Sequence, residues 1–313
     1  MVKYIMRRLL SLIPTALCVV TIVFFLIRFG AGDPAQAILG TYATSESLAA
    51  FRAEMGLDKP LIAQYGTYLW DLVRGKLGNS LITGQPVSKQ IGVVLPYSLE
   101  LTTASILLGL IAGIPLGIFM ALRRSTWFDS LGRVLSLVGI SMPAFFLGIV
   151  LLIVFAVNLD WLPVSGVGRA GSIASRLYHL VLPATTLGLV MTAYVARTTR
   201  SAILNVLSED YLRTARAKGL GERRTVFTHG LRNALIPVVT VSGMYASILI
   251  AVSPLVEIVF GRPGLGRVIL GAIKQNDYSV LQSVMLVYAA LVITINLIVD
   301  ASYSFLDPRI RYS

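Results

Sequence analysis

Apolar residues fall into six long runs, at 9–27, 101–122, 134–159, 177–196, 233–256 and 279–299. A bilayer core of roughly 30 Å needs about 20 apolar residues of helix, and each run meets that length. Pro14, Pro115, Pro143, Pro183, Pro237 and Pro254 lie inside the runs. Proline is tolerated in a span where neighbouring helices or water satisfy the freed carbonyl. The pattern predicts an all-α integral membrane protein of six kinked transmembrane helices. The kinks suit a protein that bends more than a static anchor.

The first and second runs are separated by an insert, 30–94, with a different rhythm. Leu48, Phe51 and Met55 fall at helical spacing. Leu61, Tyr65, Tyr68, Leu69, Leu72 and Val73 follow i, i+4, i+7, i+8, i+11, i+12 after Pro60, a good first helical residue, with Gly75 and Gly78 closing the run. Two roles stay open for this helix. It lies in the membrane interface with its tyrosines and Trp70 as belt residues, or it caps a path and docks an external partner. The expected divisions are an N-terminal span (1–29), the insert (30–94), a core of five spans (95–306) containing a polar loop at 197–233, and a tail (307–313).

Composition supports the membrane reading. Residues are 56% hydrophobic and 13% charged, against about 25% charged in ordinary soluble chains, and mean hydropathy is +0.78. Lys3, Arg7 and Arg8 before an apolar stretch imitate a signal peptide, but the run 9–27 exceeds the usual h-region, and Leu17 before the single Cys18 is no lipoprotein site. The stretch reads as a retained span. One cysteine gives neither a disulfide framework nor a cysteine metal cluster.

The net charge of +12 is unevenly placed. Segments 1–8, 123–133, 197–232 and 300–313 hold 16 of the 27 lysines and arginines. The positive-inside bias then places both termini in the cytoplasm. Nucleic-acid binding is excluded, because the basic residues are split among membrane flanks without interleaved aromatics.

One cytoplasmic segment stands out, "EDYLRTARAKGLGERR" at 209–224. Ser208 suits an N-cap, and Glu209 and Asp210 suit the positive end of a helix. Arg216 and Lys218 fall in the last turn, and Gly219 suits the C′ position. Such a helix of about ten residues, roughly 15 Å long, is too short to stand alone in water. It must pack, either on lipid headgroups or on a cytoplasmic partner.

Other chemistry is sparse. Gly261–Gly266, followed by Arg267 and Val268, lacks the Lys and Ser/Thr of a phosphate-binding loop. Gly166, Gly168 and Gly171 spell G-x-G-x-x-G, but in a loop after a span rather than between a strand and a helix. His179 and His229 have no ligand-spaced companions, and no catalytic Ser/His/Asp or Cys/His set assembles. Glu100, Glu257 and Asp300 sit at span margins where water reaches them, and Asn296 and Ser141 suit helix–helix hydrogen bonding.

Arg213-Thr214-Ala215, Gly219 and the later Leu235-Ile236-Pro237 resemble the EAA loop of ABC-importer permeases. Arg213 stands where that loop usually has Glu, Thr214 where it has Ala, and the gap from Gly219 to Pro237 is longer than usual. "RRLLSLIPT" (7–15), "GDPA" (32–35), "GLDKPLIAQYGTYLW" (56–70), "SMPAFFLGI" (141–149), "VEIVFGRPGLGR" (256–267) and "DPRIR" (307–311) extend the resemblance along nearly the whole chain. They are similar to the first permease subunit of dipeptide, oligopeptide and nickel importers.

The resemblance implies a type I ABC importer permease fold in a bacterial inner membrane, as a non-catalytic subunit. It implies a second homologous permease, two cytoplasmic ATPases that bind ATP and magnesium in place of this chain, and an extracytoplasmic solute-binding protein. Its coupling helix would draw on Glu209, Asp210, Leu212, Arg213, Thr214, Ala215, Arg216, Ala217, Lys218, Gly219 and Leu220. Ser141, Met142, Pro143, Glu257, Pro263 and Gly264 are the expected path or gate residues, with a tight turn at Pro263, Gly264 and Gly266. Peptides are the first-choice cargo, then nickel chelates, glutathione or opine-like solutes. An ion-coupled secondary transporter is the rival of a different class.

Overall fold

The computed structural model describes residues 2–30, 34–39, 43–210, 221 and 231–306. Among these the fold is helical and free of named strands, with one isolated bridge between Asn79 and Pro86. The helices are α1 (Val2–Gly30), α2 (Pro34–Leu39), α3 (Ser45–Glu54), α4 (Leu61–Val73), α5 (Val87–Leu122), α6 (Trp127–Ser141) and α7 (Ala144–Leu151). A π-helical turn at Leu152–Asn158 continues α7, and α8 (Ile173–Leu207), α9 (Leu231–Val259), α10 (Leu265–Lys274) and α11 (Tyr278–Leu306) follow.

Among the described residues, α5, α8, α9 and α11 are each long and apolar enough to cross a membrane, and the bent pair of α6 and α7 makes either a fifth, broken span or a re-entrant loop. The stretch Ile13–Phe29 of α1 is apolar but shorter, so four to five of the six expected crossings are seen among the described residues. Two departures from the sequence pattern stand out. The second crossing belongs to a helix that starts at Val87, well before its apolar run. The third run is not one rod, because α6 and α7 meet at 107°. Pro143 supplies no N–H and disfavours helix at Met142, which takes φ −87°, ψ 132°.

The chain forms two compact units. One comprises residues 97–262 with 1–9 and 292–313. Its central element is α8, packed against α6, α7 and α9. Leu180, Leu187, Met191, Val195 and Ile203 of α8 are buried in one cluster with Leu101, Val238, Val256 and Phe260. Thr186 and Thr192 satisfy their buried hydroxyls on the carbonyls of Leu182 and Gly188.

Between α5 and α8 the approach is set by glycine. A Cβ at Gly109 would lie 2.2 Å from Met191 Cγ, at Gly113 2.7 Å from Val195 Cβ, and at Gly117 2.5 Å from the Ala196 carbonyl oxygen. Lipid tails are as apolar as leucine, so close backbone packing has to replace the hydrophobic drive between helices. Three small residues at a four-residue repeat provide it.

The other unit comprises residues 10–96 and 263–291. Here the amphipathic pattern of the insert is realised. Thr44 caps α3, accepting from the Ser47 N–H, and α4 follows Pro60, which sits at the N-cap one position before the first helical residue. Tyr65 and Tyr68 turn towards α1, where both rings meet Phe24, and Tyr65 shares a hydrogen bond with Thr21. A small core gathers Val87 and Ile91 with Leu265, Ala272, Val280 and Val284. Asp277 ties the unit together, accepting from Ser80 Oγ, from the Leu81 N–H, and from the Val280 N–H at the start of α11.

Candidate functional site

The candidate site is distributed over three places in the larger unit: an ion pair between α6 and α8, a charged cluster where α5, α8 and α9 meet, and the break between α6 and α7.

Asp129 lies in the first turn of α6, where a carboxylate faces the positive helix end, and its side chain is 1% exposed. It accepts Nε of Arg200 at 2.6 Å and Nη2 at 2.9 Å, a two-pronged pairing that fixes orientation as well as distance. The Ser125 N–H adds a third bond at 3.1 Å. Arg200 is about two turns before the end of α8, so this pair fixes the helix that leads into the polar loop. There Ser208 departs from expectation. It is the C-cap of α8, with φ −86° and ψ −8°, and its hydroxyl donates back to the Asn205 carbonyl at 2.7 Å. A serine hydroxyl serves either kind of cap, and the length of the preceding helix decides which. Glu209 and Asp210 follow, both exposed. The remaining expected coupling residues, Leu212 to Leu220, lie outside the described residues, as does His229.

The second place is built on Glu100 of α5. Its Oε1 accepts Nε of Arg176 at 2.8 Å and its Oε2 accepts Nη2 of Arg262 at 3.1 Å. Arg262 is wholly buried, and so is Glu257 of α9. Burial lowers the Arg262 guanidinium from its ordinary value, and the charges of Glu100 and Glu257 offset part of that. A guanidinium does not deprotonate to escape, so the two carboxylates are what let it stay inside. Glu257 therefore departs from the water-exposed margin expected of it. The turn beside it also differs from the expected one. Gly261, at φ +58°, makes the left-handed turn, and the Arg262 N–H returns to the Glu257 carbonyl at 2.8 Å. Gly264 is instead the extended N-cap of α10, Pro263 precedes it half-buried, and Gly266 is inside that helix.

At the third place Ser141 and Pro143 are exposed and Met142 is half-buried, at the junction of α6 and α7. Beyond α7, the loop carrying Gly166, Gly168 and Gly171 is bound to its surroundings. The Gly166 N–H bonds the Phe260 carbonyl, and a Cβ at Gly168, at φ +81°, would lie 2.6 Å from the Ser175 carbonyl carbon. These glycines serve the backbone.

Among the described residues no His/Cys/Asp/Glu group is arranged to hold a metal. His179 Nδ1 faces the Ser175 carbonyl one turn away. Asn296 shares a 3.2 Å hydrogen bond with Ser247, the helix–helix role its position in a span suggests. Sequence reasoning misses Asp129, Arg200 and Arg262, whose partners are remote in sequence. It also passes over Gly109, Gly113 and Gly117, whose spacing is visible in "LLGLIAGIPLGI".

Helices packed through small residues, a break at a proline, and charges paired at helix ends describe a helical membrane-spanning protein. Residues 113–312 match the family model described as binding-protein-dependent transport system inner membrane component, and residues 1–102 match the model for its N-terminal part. The chain belongs to that family, as an ABC importer permease of the peptide/nickel branch. It is 42% identical over 312 residues to the glutathione transport system permease protein GsiC of Salmonella paratyphi A, covering all of both chains. It is 40% identical over 333 residues to the dipeptide transport system permease protein DppB of Alkalihalophilus pseudofirmus, again with full coverage. Among solved structures, an inward-facing MetNI methionine ABC transporter chain is similar at 19% identity and a TM-score of 0.57, covering 69% of this chain and 96% of that one. An amino acid ABC transporter chain is similar at 16% identity and a TM-score of 0.52, covering 68% and 92%. The likeness to these two is one of fold.

Proposed function

We propose that this chain is the first of two related permeases in an importer of short peptides, glutathione included, and that it performs no catalysis of its own. Two ATPase subunits hold ATP and magnesium, and an extracytoplasmic protein delivers the solute. Both termini and segment 197–232 face the cytoplasm. The observation that carries the reading is the end-to-end similarity to permeases named for glutathione and for dipeptides.

The geometry suits the task. Residues 209–220 form the contact with an ATPase and are fed by α8. The Arg200–Asp129 pair makes α6 follow α8. The flexible point is then the junction at Ser141, Met142 and Pro143, where the backbone already departs from helix. At the far end of α8, the Glu100, Arg176 and Arg262 pairs close the outer side. Closure of the ATPases pulls α8, and those pairs separate or re-form with it.

Proteoliposomes containing both permeases, the ATPases and the binding protein test this with labelled glutathione and dialanine. Uptake is expected to require ATP and to survive an ionophore. Uptake without ATP that an ionophore abolishes would make the chain an ion-coupled carrier. Gly219→Pro should leave the permease inserted but uncouple it. Full uptake by this variant would remove the coupling role from 209–220.

A further inference from the structure

Outside the machinery described above, the smaller unit forms an open cleft of about 490 Å³ between α1, the end of α3, α4, the loop at 76–81 and the start of α11. That volume lies in the range of small-molecule sites. Its wall is unusual in the polar atoms it leaves unused. Arg28 Nε, Gln64 Oε1, Tyr68 Oη and Gln282 Nε2 are all buried; Tyr68 and Gln282 face each other without a well-formed bond, and Arg28 Nε and Gln64 Oε1 have no partner among the described residues. All four residues line the same cavity, although they come from three different helices. Gln282 as a whole is 9% exposed. Buried polar atoms are nearly always bonded, and leaving one unmet costs about 1–3 kcal/mol. Four buried polar atoms in one wall, two of them with no partner at all, indicate a site built for something polar.

The chemistry of the four atoms is sorted. Gln64 spends its amide N–H groups on the carbonyls of Leu57 and Lys59, at 3.1 and 2.8 Å. This fixes the orientation of the amide and leaves Oε1 as an acceptor. Arg28 Nε and Gln282 Nε2 are donors only. Tyr68, whose phenol burial pushes up, stays protonated and can donate. Around them, Lys59 and Lys76 set positive charge at the rim, and Glu54 and Asp71 set negative charge. Donors for a carboxylate and acceptors for an ammonium thus share one cleft.

We propose that this cavity binds a small zwitterionic solute with a free carboxylate and a free ammonium, of the size of a di- or tripeptide. The carboxylate takes Arg28, Gln282 and Tyr68, and the ammonium takes Gln64 and the carboxylates of the rim. The choice of a peptide rests on the import function proposed above. The site itself rests on the unmet polar atoms. A phospholipid headgroup carrying an anion and an ammonium shares this chemistry, and the test separates the two.

The assembled importer, without its solute-binding protein and without ATP, is placed in phosphatidylcholine nanodiscs and titrated with radiolabelled dialanine and glutathione. Saturable binding is expected. Arg28→Met and Gln282→Leu should each weaken it about tenfold or more, as loss of a charge-assisted bond does. Lys59→Ala, at the exposed rim, should weaken it about threefold without threatening the fold. Dialanine amide and N-acetyl-dialanine should both bind poorly. Equal binding by wild type and all three variants, or no saturable binding, would overturn the proposal. So would loss of peptide binding when phosphatidylethanolamine replaces phosphatidylcholine, which assigns the cavity to a headgroup. ATP-driven uptake by the complete wild-type system is measured in parallel. Uptake without binding to the cavity sinks the cavity alone, whereas absence of uptake for every peptide sinks the import function.

Discussion

Asp129 and Arg200, 71 positions apart, meet through two near-parallel hydrogen bonds of 2.6 and 2.9 Å. The carboxylate is nearly dry and the guanidinium is one-fifth exposed. Breaking a buried pair by deleting one partner costs about 3–5 kcal/mol, more than the intact pair contributes relative to an apolar substitute. Such a pair serves to specify geometry.

Arg200→Lys keeps the charge and loses the fork. Its expected effect is a loss of uptake larger than its loss of thermal stability in detergent. Asp129→Ala leaves the partly exposed Arg200 guanidinium without its carboxylate and should cost about 1–3 kcal/mol in unfolding. Uptake by Arg200→Lys equal to wild type would show that the pairing geometry does not matter for transport.

The seam between α5 and α8 admits no methyl group. Gly117→Ala would press a Cβ onto the Ala196 carbonyl and the Thr199 side chain, and backbone cannot rotate aside as a flexible side chain does. Overpacking of this kind costs about 1–3 kcal/mol. Gly271→Ala, in open space, is the control and should be close to neutral. Comparison of their thermal midpoints in detergent checks the difference.

Arg262 and Glu257 should behave as one unit. Arg262→Met leaves Glu257 buried beside one fewer cation, and Glu257→Gln does the reverse. The double variant is therefore expected to be less damaged than the two single effects summed, by about 1 kcal/mol or more in a double-mutant cycle. Additive effects would show that the two charges do not interact.

Asp277→Ala removes the acceptor shared by Ser80, Leu81 and the first turn of α11. Loss of the cap alone is worth about 0.5–2 kcal/mol. Faster proteolytic cutting within 77–86 is the expected sign, with the far ends of α8 and α9 unaffected in the same digest.

The spans were legible because lipid demands length and apolarity, and both are visible residue by residue. Helix α4 was legible because Leu61, Tyr65, Tyr68 and Leu72 keep a helical period. The bend at Met142 was not, since Pro143 sits in unbroken apolar sequence and hydropathy does not register backbone direction. The start of α5 at Val87 was hidden for the opposite reason: its first turns mix Ser88, Lys89 and Gln90 with apolar residues. Arg262 lies in a Gly- and Pro-rich turn, FGRPG, that gives no local sign of burial, and only its two carboxylate neighbours make burial tolerable. Pairings such as Asp129 with Arg200 leave no local trace.

The glycine repeat at 109, 113 and 117 also bears on how such a subunit can diversify. An added methyl meets the Met191 side chain at 109, the Val195 side chain at 113 and backbone at 117, so the α5–α8 seam leaves few permitted substitutions. Variation is left to surfaces that keep this seam intact, which makes grafting side chains onto the smaller unit safer than redesigning the contact between α5 and α8.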